Sequence, residues 1–199
     1  MTKPIYTKTT GRGSEKHNML YLEELHADSS QLKATSVNGC THSFDIVDVA
    51  TGSEWSLLHK NTFTDIPLLF KRFITNIVDD ARKRKLKSAG ENPCVRRVRL
   101  DGHSVQMSRH PHIVGAVEKM LLDMKPSIAS DPVAPGLSRQ MAIVGNSQKN
   151  KAATAKRIMR EQGEGLPTWA YACAYKESAK IHDVLPQGSG RKSSFYLRE

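Results

Sequence analysis

The sequence predicts an α/β domain, that is, a sheet with helices packed on its faces. Residues 43–49 alternate between apolar and polar side chains, and residues 54–58 predict a neighbouring strand. The turn residues Thr51-Gly52-Ser53 between them predict a β-hairpin. Apolar side chains then recur every three or four positions over residues 66–81, which is the spacing of an amphipathic helix. Strands followed by helices of this kind are typical of the α/β class.

Local signals mark the limits of the first helix and indicate the other elements. Asp65 is predicted to cap that helix, and Pro67 suits its first turn. The helix is predicted to end in the basic cluster of residues 82–87, because positive charges interact favourably with the C-terminal end of a helix. The remaining segments predict a strand over 19–27 (a helix also fits), a strand over 95–100, helices over 113–124 and 147–162, a proline-containing loop over 127–136, and a last helix from Thr168 to just before Pro186.

Composition sets the domain organisation and the class of partner. Residues 1–18 predict a flexible basic arm, residues 19–186 one folded domain, and residues 187–199 a polar basic tail. No apolar run approaches a membrane span and no secretory segment is visible, so a soluble, intracellular protein is expected. The net charge of +10 favours a polyanion such as nucleic acid, although a basic protein without such a partner is an open alternative.

The three cysteines predict neither a zinc site nor a disulfide framework. Cys40, Cys94 and Cys173 are far apart and odd in number. They contain no C-x-x-C pair, which is the usual spacing of a zinc knuckle.

Four short segments carry a resemblance to a known family. Residues 25–28 read Leu-His-Ala-Asp, and residues 46–52 read Ile-Val-Asp-Val-Ala-Thr-Gly ahead of Trp55. Residues 97–102 read Arg-Val-Arg-Leu-Asp-Gly, and residues 166–169 read Leu-Pro-Thr-Trp. In this order and approximate spacing, the segments resemble the motifs of copia-type retrotransposon integrase cores, which belong to the DDE-type strand transferase superfamily.

The resemblance implies both a fold and an activity. The implied fold is ribonuclease H-like, with a mixed five-stranded sheet flanked by helices on both faces, so residues 19–186 would form an integrase catalytic core-like domain. The implied activity is that of a metal-dependent DNA strand transferase or endonuclease in DNA integration. The implied partner is DNA, and the implied location is the nucleus. Association of two copies of the chain into a homodimer is left open.

Asp28 and Asp101 match the two aspartates of the family and would be catalytic ligands of Mg²⁺ or Mn²⁺. Phosphodiester attack needs an activated nucleophile and neutralisation of charge on the attacking and leaving oxygens, which two divalent metals provide. Carboxylate oxygens suit Mg²⁺ because it is a hard cation. Without the resemblance, Asp28 also fits a solvated strand end, and Asp101-Gly102 also fits a turn.

The third carboxylate of the family is missing. Its place is predicted near Val144, and neither Val144 nor Gln148 can supply an anionic ligand. No acid lies between Asp131 and Glu161; Asp131 is an alternative ligand, although it is predicted in a loop. Asp48 is not expected to bind metal. Together with the absence of the family's zinc-binding residues and the end of the chain at Glu199, this predicts a degenerate or truncated copy with impaired catalysis.

Nucleic-acid contacts are predicted for the cations of the third helix, Lys149, Lys151, Lys156 and Arg157, and for the three arginines at positions 96, 97 and 99. A solvated polar face is an open alternative for the same residues. Three hypotheses follow: a DNA-binding core with impaired catalysis, a non-enzymatic interaction protein that reuses the fold, and an active metal-dependent nuclease or strand transferase with a substituted third ligand.

Overall fold

The computed structural model of the chain describes residues 19–60, 65–101, 115–133, 141–162 and 165–184. Within these residues the chain forms five strands and four α-helices. The strands are β1 (Glu24–Gln31), β2 (His42–Asp48), β3 (Glu54–His59), β4 (Arg97–Asp101) and β5 (Ala129–Val133). The helices are α1 (Ile66–Arg84), α2 (Ala116–Asp123), α3 (Ala142–Glu161) and α4 (Ala170–Val184), and a short 3₁₀ turn covers Lys87–Ala89.

The strands form one mixed sheet in the order β3-β2-β1-β4-β5. β1, β2 and β3 are antiparallel neighbours, and the predicted hairpin joins the last two. β4 pairs with β1 in parallel, and β5 pairs with β4 in parallel. Parallel neighbours need a crossover connection, and α1 lies in the chain segment between the antiparallel and the parallel halves.

The two faces of the sheet bury different side chains, because successive residues of a strand point to opposite faces. One face is apolar and packs with α1 and α2 in the main core, which includes Leu25, Phe44, Ile46, Phe70, Ile74, Val98, Leu100, Val117 and Leu121. On the other face, α3 and α4 build a second cluster of Ala155, Tyr171, Ala172 and Tyr175 with Leu32. The helices therefore flank the sheet on both faces.

The structure corrects several predicted boundaries. β1 begins at Glu24 instead of residue 19, because residues 21–23 form a turn. The segment predicted as a loop over residues 127–136 contains β5, which includes Pro132; a proline is tolerated there because β5 is an edge strand of the described sheet. α3 begins at Ala142, five residues before the predicted start at Ser147.

The predictions at helix ends and chain ends have mixed outcomes. Asp65 stands at the N-cap of α1, but its side chain makes no capping hydrogen bond, while Pro67 does lie in the first turn. The predicted arm over residues 1–18 and the predicted tail over residues 187–199 lie outside the described residues. No helix in the described part of the chain is long and apolar enough to cross a membrane.

Candidate functional site

Asp28 and Asp101, the predicted metal ligands, lie on neighbouring parallel strands. Ala27 of β1 pairs with Leu100 of β4, so the next residue of each strand, Asp28 and Asp101, occupies an adjacent backbone position. Asp101 is the last residue of β4, and only its backbone belongs to the described structure. The strand register alone therefore brings the two positions together.

Asp28 is half-buried and lies under α3. Its Oδ1 accepts a hydrogen bond from the backbone N–H of Ser29 at 2.7 Å. Its Oδ2 lies 3.4 Å from Nε2 of Gln148, which donates from α3. The α3 residue that reaches the first aspartate is thus a neutral amide.

Val144, near which the third carboxylate of the family is predicted, does not face Asp28. Val144 is fully buried and packs with Met141 and Val47 in a small apolar cluster. Residues four apart lie on the same face of a helix, and the next such residue, Gln148, is the one that contacts Asp28. The α3 position opposite Asp28 therefore carries an amide where a three-acid site needs a carboxylate.

Asp131, the alternative ligand, and Glu161, the next acid along the chain, have other partners. Asp131 lies in β5 and not in a loop, and its Oδ2 accepts hydrogen bonds from Nε and Nη2 of Arg99 at 3.0 and 2.7 Å. Glu161 is the last residue of α3, about 20 Å along the helix axis from Gln148. Its Oε1 lies 2.7 Å from Nε of Arg157. Neither acid is placed to complete a site with Asp28.

The described residues do not fit the two-metal centre that the resemblance implies. Mg²⁺ binds oxygen ligands, chiefly carboxylates, whereas the group that reaches Asp28 from α3 is an N–H donor. This N–H points to Oδ2 of Asp28 and takes up one of the carboxylate's lone pairs, whereas a metal ligand would bring an oxygen to the site. In the part of the chain that the structure describes, no three His, Cys, Asp or Glu side chains are grouped so that they could hold a metal ion.

Lys151, predicted to contact nucleic acid, is instead buried against the sheet. Its side chain is fully buried, and its Nζ lies 2.5 Å from Oδ1 of Asp45 and 2.9 Å from Oγ of Ser56. Asp45 is also fully buried. Besides the ammonium group of Lys151, the Asp45 carboxylate accepts hydrogen bonds from four hydroxyl groups, those of Ser30, Ser43, Ser56 and Tyr175. The ion pair ties α3 to the centre of the sheet, and the prediction that Lys151 binds phosphate is wrong.

Tyr175 adds α4 to this buried network. Burial raises the pKa of Tyr175, and the negative charge of Asp45 raises it further. The hydroxyl therefore remains protonated at neutral pH and donates to Oδ2 of Asp45 at 3.0 Å. Sequence reasoning missed this network, although Lys151 follows the buried Val144 and Ser147 at helical spacing. A lysine on such a buried stripe indicates a buried acid partner.

Asp48 organises the hairpin turn. Its Oδ2 accepts the backbone N–H and the hydroxyl of Thr51, each at 2.7 Å. Its Oδ1 accepts the backbone N–H of Leu22 at 2.9 Å. Leu22 has a φ of 72°, which costs energy for a residue with a branched side chain. The fully buried Asp48 thus fixes both the hairpin and the chain entry into β1.

The outer side of α3 presents a group of cations, which we call the α3 cation surface: Lys33, Lys149, Lys156 and Arg160. All four are exposed. Lys33 joins α3 because its neighbours Leu32 and Ala34 pack into the α3–α4 cluster, and close contact with the Lys156 ammonium lowers the pKa of Lys33. Arg157, which was also predicted to bind nucleic acid, is exposed but pairs with Glu161 at 2.7 Å.

The three arginines at and before β4 all have acidic neighbours. Arg96 lies 3.2 Å from Glu23, and Arg97 lies 3.5 Å from Glu24. Arg99 contacts Asp131 and also lies 3.9 Å from Glu24. Each of these arginines therefore has an acid near enough to offset part of its charge.

Comparison with known proteins decides the fold. No protein-family model matches the chain, and no curated protein does. Its structure is similar to a chain in the cryo-EM structure of the simian T-cell lymphotropic virus intasome in complex with PP2A regulatory subunit B56 gamma. The TM-score is 0.62 at 11% sequence identity, and the match covers 90% of this chain and 55% of that chain. The chain has an integrase-like fold.

The fold class predicted from the sequence is thereby confirmed: an α/β, ribonuclease H-like mixed five-stranded sheet with helices on both faces. At this level of identity the similarity carries the fold and no residue's role, because folds are shared by proteins of different function. The roles of Asp28 and Asp101 as catalytic metal ligands stay predictions.

Proposed function

We propose that this chain is an integrase-core-like nucleic-acid-binding protein of copia-type retroelement origin that has lost the two-metal chemistry of DNA integration. The observation that carries the proposal is the α3 cation surface. The helix is fixed to the sheet by the buried Lys151–Asp45 pair, so its opposite side presents Lys149, Lys156 and Arg160 to solvent.

The spacing of these cations suits a nucleic-acid backbone. Lys149 and Arg160 lie about 16 Å apart along the helix axis, and duplex DNA carries one negative charge per about 1.7 Å of its own axis. Several phosphates therefore lie within reach of one face of α3. A retroelement origin would place this partner, DNA, in the nucleus.

The loss of strand transfer is proposed from the residue opposite Asp28. Gln148 donates an N–H to the Asp28 carboxylate and brings no negative charge to offset two divalent cations. A second candidate function, a metal-dependent nuclease with a substituted ligand, is favoured by the neighbouring backbone positions of Asp28 and Asp101. It requires nicking in Mg²⁺ or Mn²⁺ that Asp28→Asn and Asp101→Asn both abolish.

Salt dependence tests the binding proposal. The association constant K for a DNA duplex is measured across a range of salt concentrations. The slope of log K against the logarithm of the salt concentration is about −0.9 for each phosphate contacted. Replacing Lys149, Lys156 and Arg160 together with Gln is expected to reduce that slope by up to about 2.7. An affinity that does not change with salt would refute nucleic-acid binding and favour a protein interaction module instead.

A matched control variant separates a specific surface from net charge. Lys71, Arg72 and Lys83 are exposed on α1, which packs on the opposite face of the sheet. Replacing these three with Gln removes the same charge and is expected to leave the slope near the wild-type value. Equal losses in the two triple variants would show that only the overall charge matters.

A further inference from the structure

The segment that leads into α4 exposes apolar side chains. All described residues from Gly165 to Trp169 are exposed, with relative exposures of 40% for Leu166 and 43% for Trp169. The other tryptophan, Trp55, is half-buried and its ring packs against Tyr21 and Phe73. Among the described residues no aromatic ring packs against Trp169, and the residue is partly exposed to solvent.

This segment lies at the cationic end of α3. Tyr171 and Ala172, in the first turn of α4, belong to the same buried cluster as Ala155, and Ile158 and Met159 of α3 pack against it. The segment over residues 166–169 therefore lies beside the last turns of α3, which carry the exposed Lys156 and Arg160.

Two of the neighbouring cations, Lys33 and Lys156, lie next to each other. Leu32 and Ala34 pack into the α3–α4 cluster, and this packing places the intervening Lys33 next to Lys156. Like charges at short range repel each other, and a bound phosphate relieves that repulsion by lying between the two ammonium groups.

An exposed indole beside phosphate-binding cations has a defined ligand chemistry. Aromatic side chains stack on unpaired bases of any sequence, and the flanking cations follow the backbone of the strand. In a duplex the base faces are already stacked on each other, so the indole can gain nothing there except at the ends. We infer that Trp169 stacks on an unpaired base while Lys33, Lys156 and Arg160 bind the adjoining phosphates, so that this end of the α3–α4 pair binds single-stranded nucleic acid. This inference rests on the proposed function and names its preferred substrate.

The test compares three ligands that differ in their bases. The full chain is titrated with a single-stranded oligothymidylate, with a blunt DNA duplex of equal charge, and with inorganic polyphosphate, which has no bases. Affinity is followed by competition with a labelled oligonucleotide, and contact with the indole is followed by quenching of tryptophan fluorescence. Trp169→Ala is compared with Trp169→Phe, which keeps a ring, and with Leu122→Ala, which removes an exposed apolar side chain of α2.

The expected results separate stacking from charge. Oligothymidylate quenches the fluorescence component that Trp169→Phe removes, and polyphosphate binds without quenching it. Trp169→Ala weakens oligothymidylate binding by roughly 5- to 150-fold, the effect of losing one base stack, while Trp169→Phe retains most of the affinity. Duplex affinity does not change, and Leu122→Ala has no effect on any ligand.

Different failures point to different errors. If salt-dependent binding persists and Trp169→Ala weakens both DNA forms equally or neither, the stacking inference is wrong and the proposed function stands. Quenching by polyphosphate as strong as that by oligothymidylate also overturns the inference. If none of the three ligands binds in a salt-dependent manner, both proposals fall, and the exposed segment is then better explained as a protein contact.

Discussion

Replacing Lys151 with Met tests whether the buried ion pair holds α3 on the sheet. The change removes the ammonium but leaves Asp45 fully buried, with only hydroxyl donors around its carboxylate. Removing one partner of a buried pair costs about 3–5 kcal/mol, because the remaining charge is uncompensated. The free energy of unfolding of a typical domain is about 5–15 kcal/mol. Lys151→Met is therefore expected to remove a large fraction of it.

Urea denaturation followed by circular dichroism measures this loss. The matched control is Arg157→Met, which makes the same kind of change on the same helix but breaks the exposed pair with Glu161. Exposed pairs contribute little because water screens both charges, so the control is expected to unfold close to the wild type. The slope of free energy against urea should be unchanged in both variants, since neither alters the surface exposed on unfolding.

A double-mutant cycle with Asp45→Asn completes the argument. Each single change leaves one buried charge behind, whereas the double change leaves none, so its cost should be well below the sum of the two single costs. Strictly additive costs, or a Lys151→Met variant as stable as Arg157→Met, would refute the ion pair as the anchor of α3.

Three further changes test other parts of the site. Gln148→Glu should create a metal site, seen as a rise in melting temperature with Mn²⁺ that the wild type lacks and that adding Asp28→Asn abolishes; no rise would show that position 148 is not the ligand position. Asp48→Ala should cost about 1–3 kcal/mol in urea, because buried backbone N–H donors lose their acceptor, and a cost near zero would contradict this. The hydrogen bond from His26 and the nearby arginine charges hold the pKa of Glu24 below its ordinary value despite burial. The resulting stability is present at neutral pH and lost as pH falls below about 4.5, the ordinary value, so Glu24→Gln should flatten this part of the stability curve; an unchanged curve would exclude Glu24 as its origin.

Periodicity predicted most of the fold, and it failed where tertiary contacts outweigh local preference. The hairpin, α1, α2 and β4 follow from repeats of two or of three to four residues. β5 was missed because its Ser, Asp and Pro residues are poor strand formers, and the strand is stabilised by its parallel pairing with β4. The first turn of α3 was missed because Gly145 and Asn146 disfavour helix, while burial of Met141 and Val144 against Val47 stabilises it.

The candidate site was predictable only in part, for a related reason. The neighbouring positions of Asp28 and Asp101 follow once two strands are assigned and paired. The α3 residue that faces Asp28 depends on the rotation of the helix about its axis, which is set by the contact of Lys151 with Asp45, 106 residues earlier in the sequence. A lysine on a predicted helix resembles a solvated cation until its buried partner is known. The same contact explains why Lys151 was misassigned as a nucleic-acid ligand.

The residue that anchors α3, Lys151, differs from the residue that contacts Asp28, Gln148, and this bears on whether the stability of the protein depends on metal. A cluster of close carboxylates repels itself unless cations neutralise it, so such a site couples stability to metal. In the described part of this chain, α3 contributes an amide to Asp28 and is anchored one turn away by an ion pair that is already neutral. We therefore expect chelators to leave the melting temperature unchanged in the wild type, while Gln148→Glu should lose stability on chelation and regain it with Mn²⁺. A wild-type protein that a chelator destabilises would show that a metal does bind, and the amide at position 148 would then have to be reconsidered as one of its ligands.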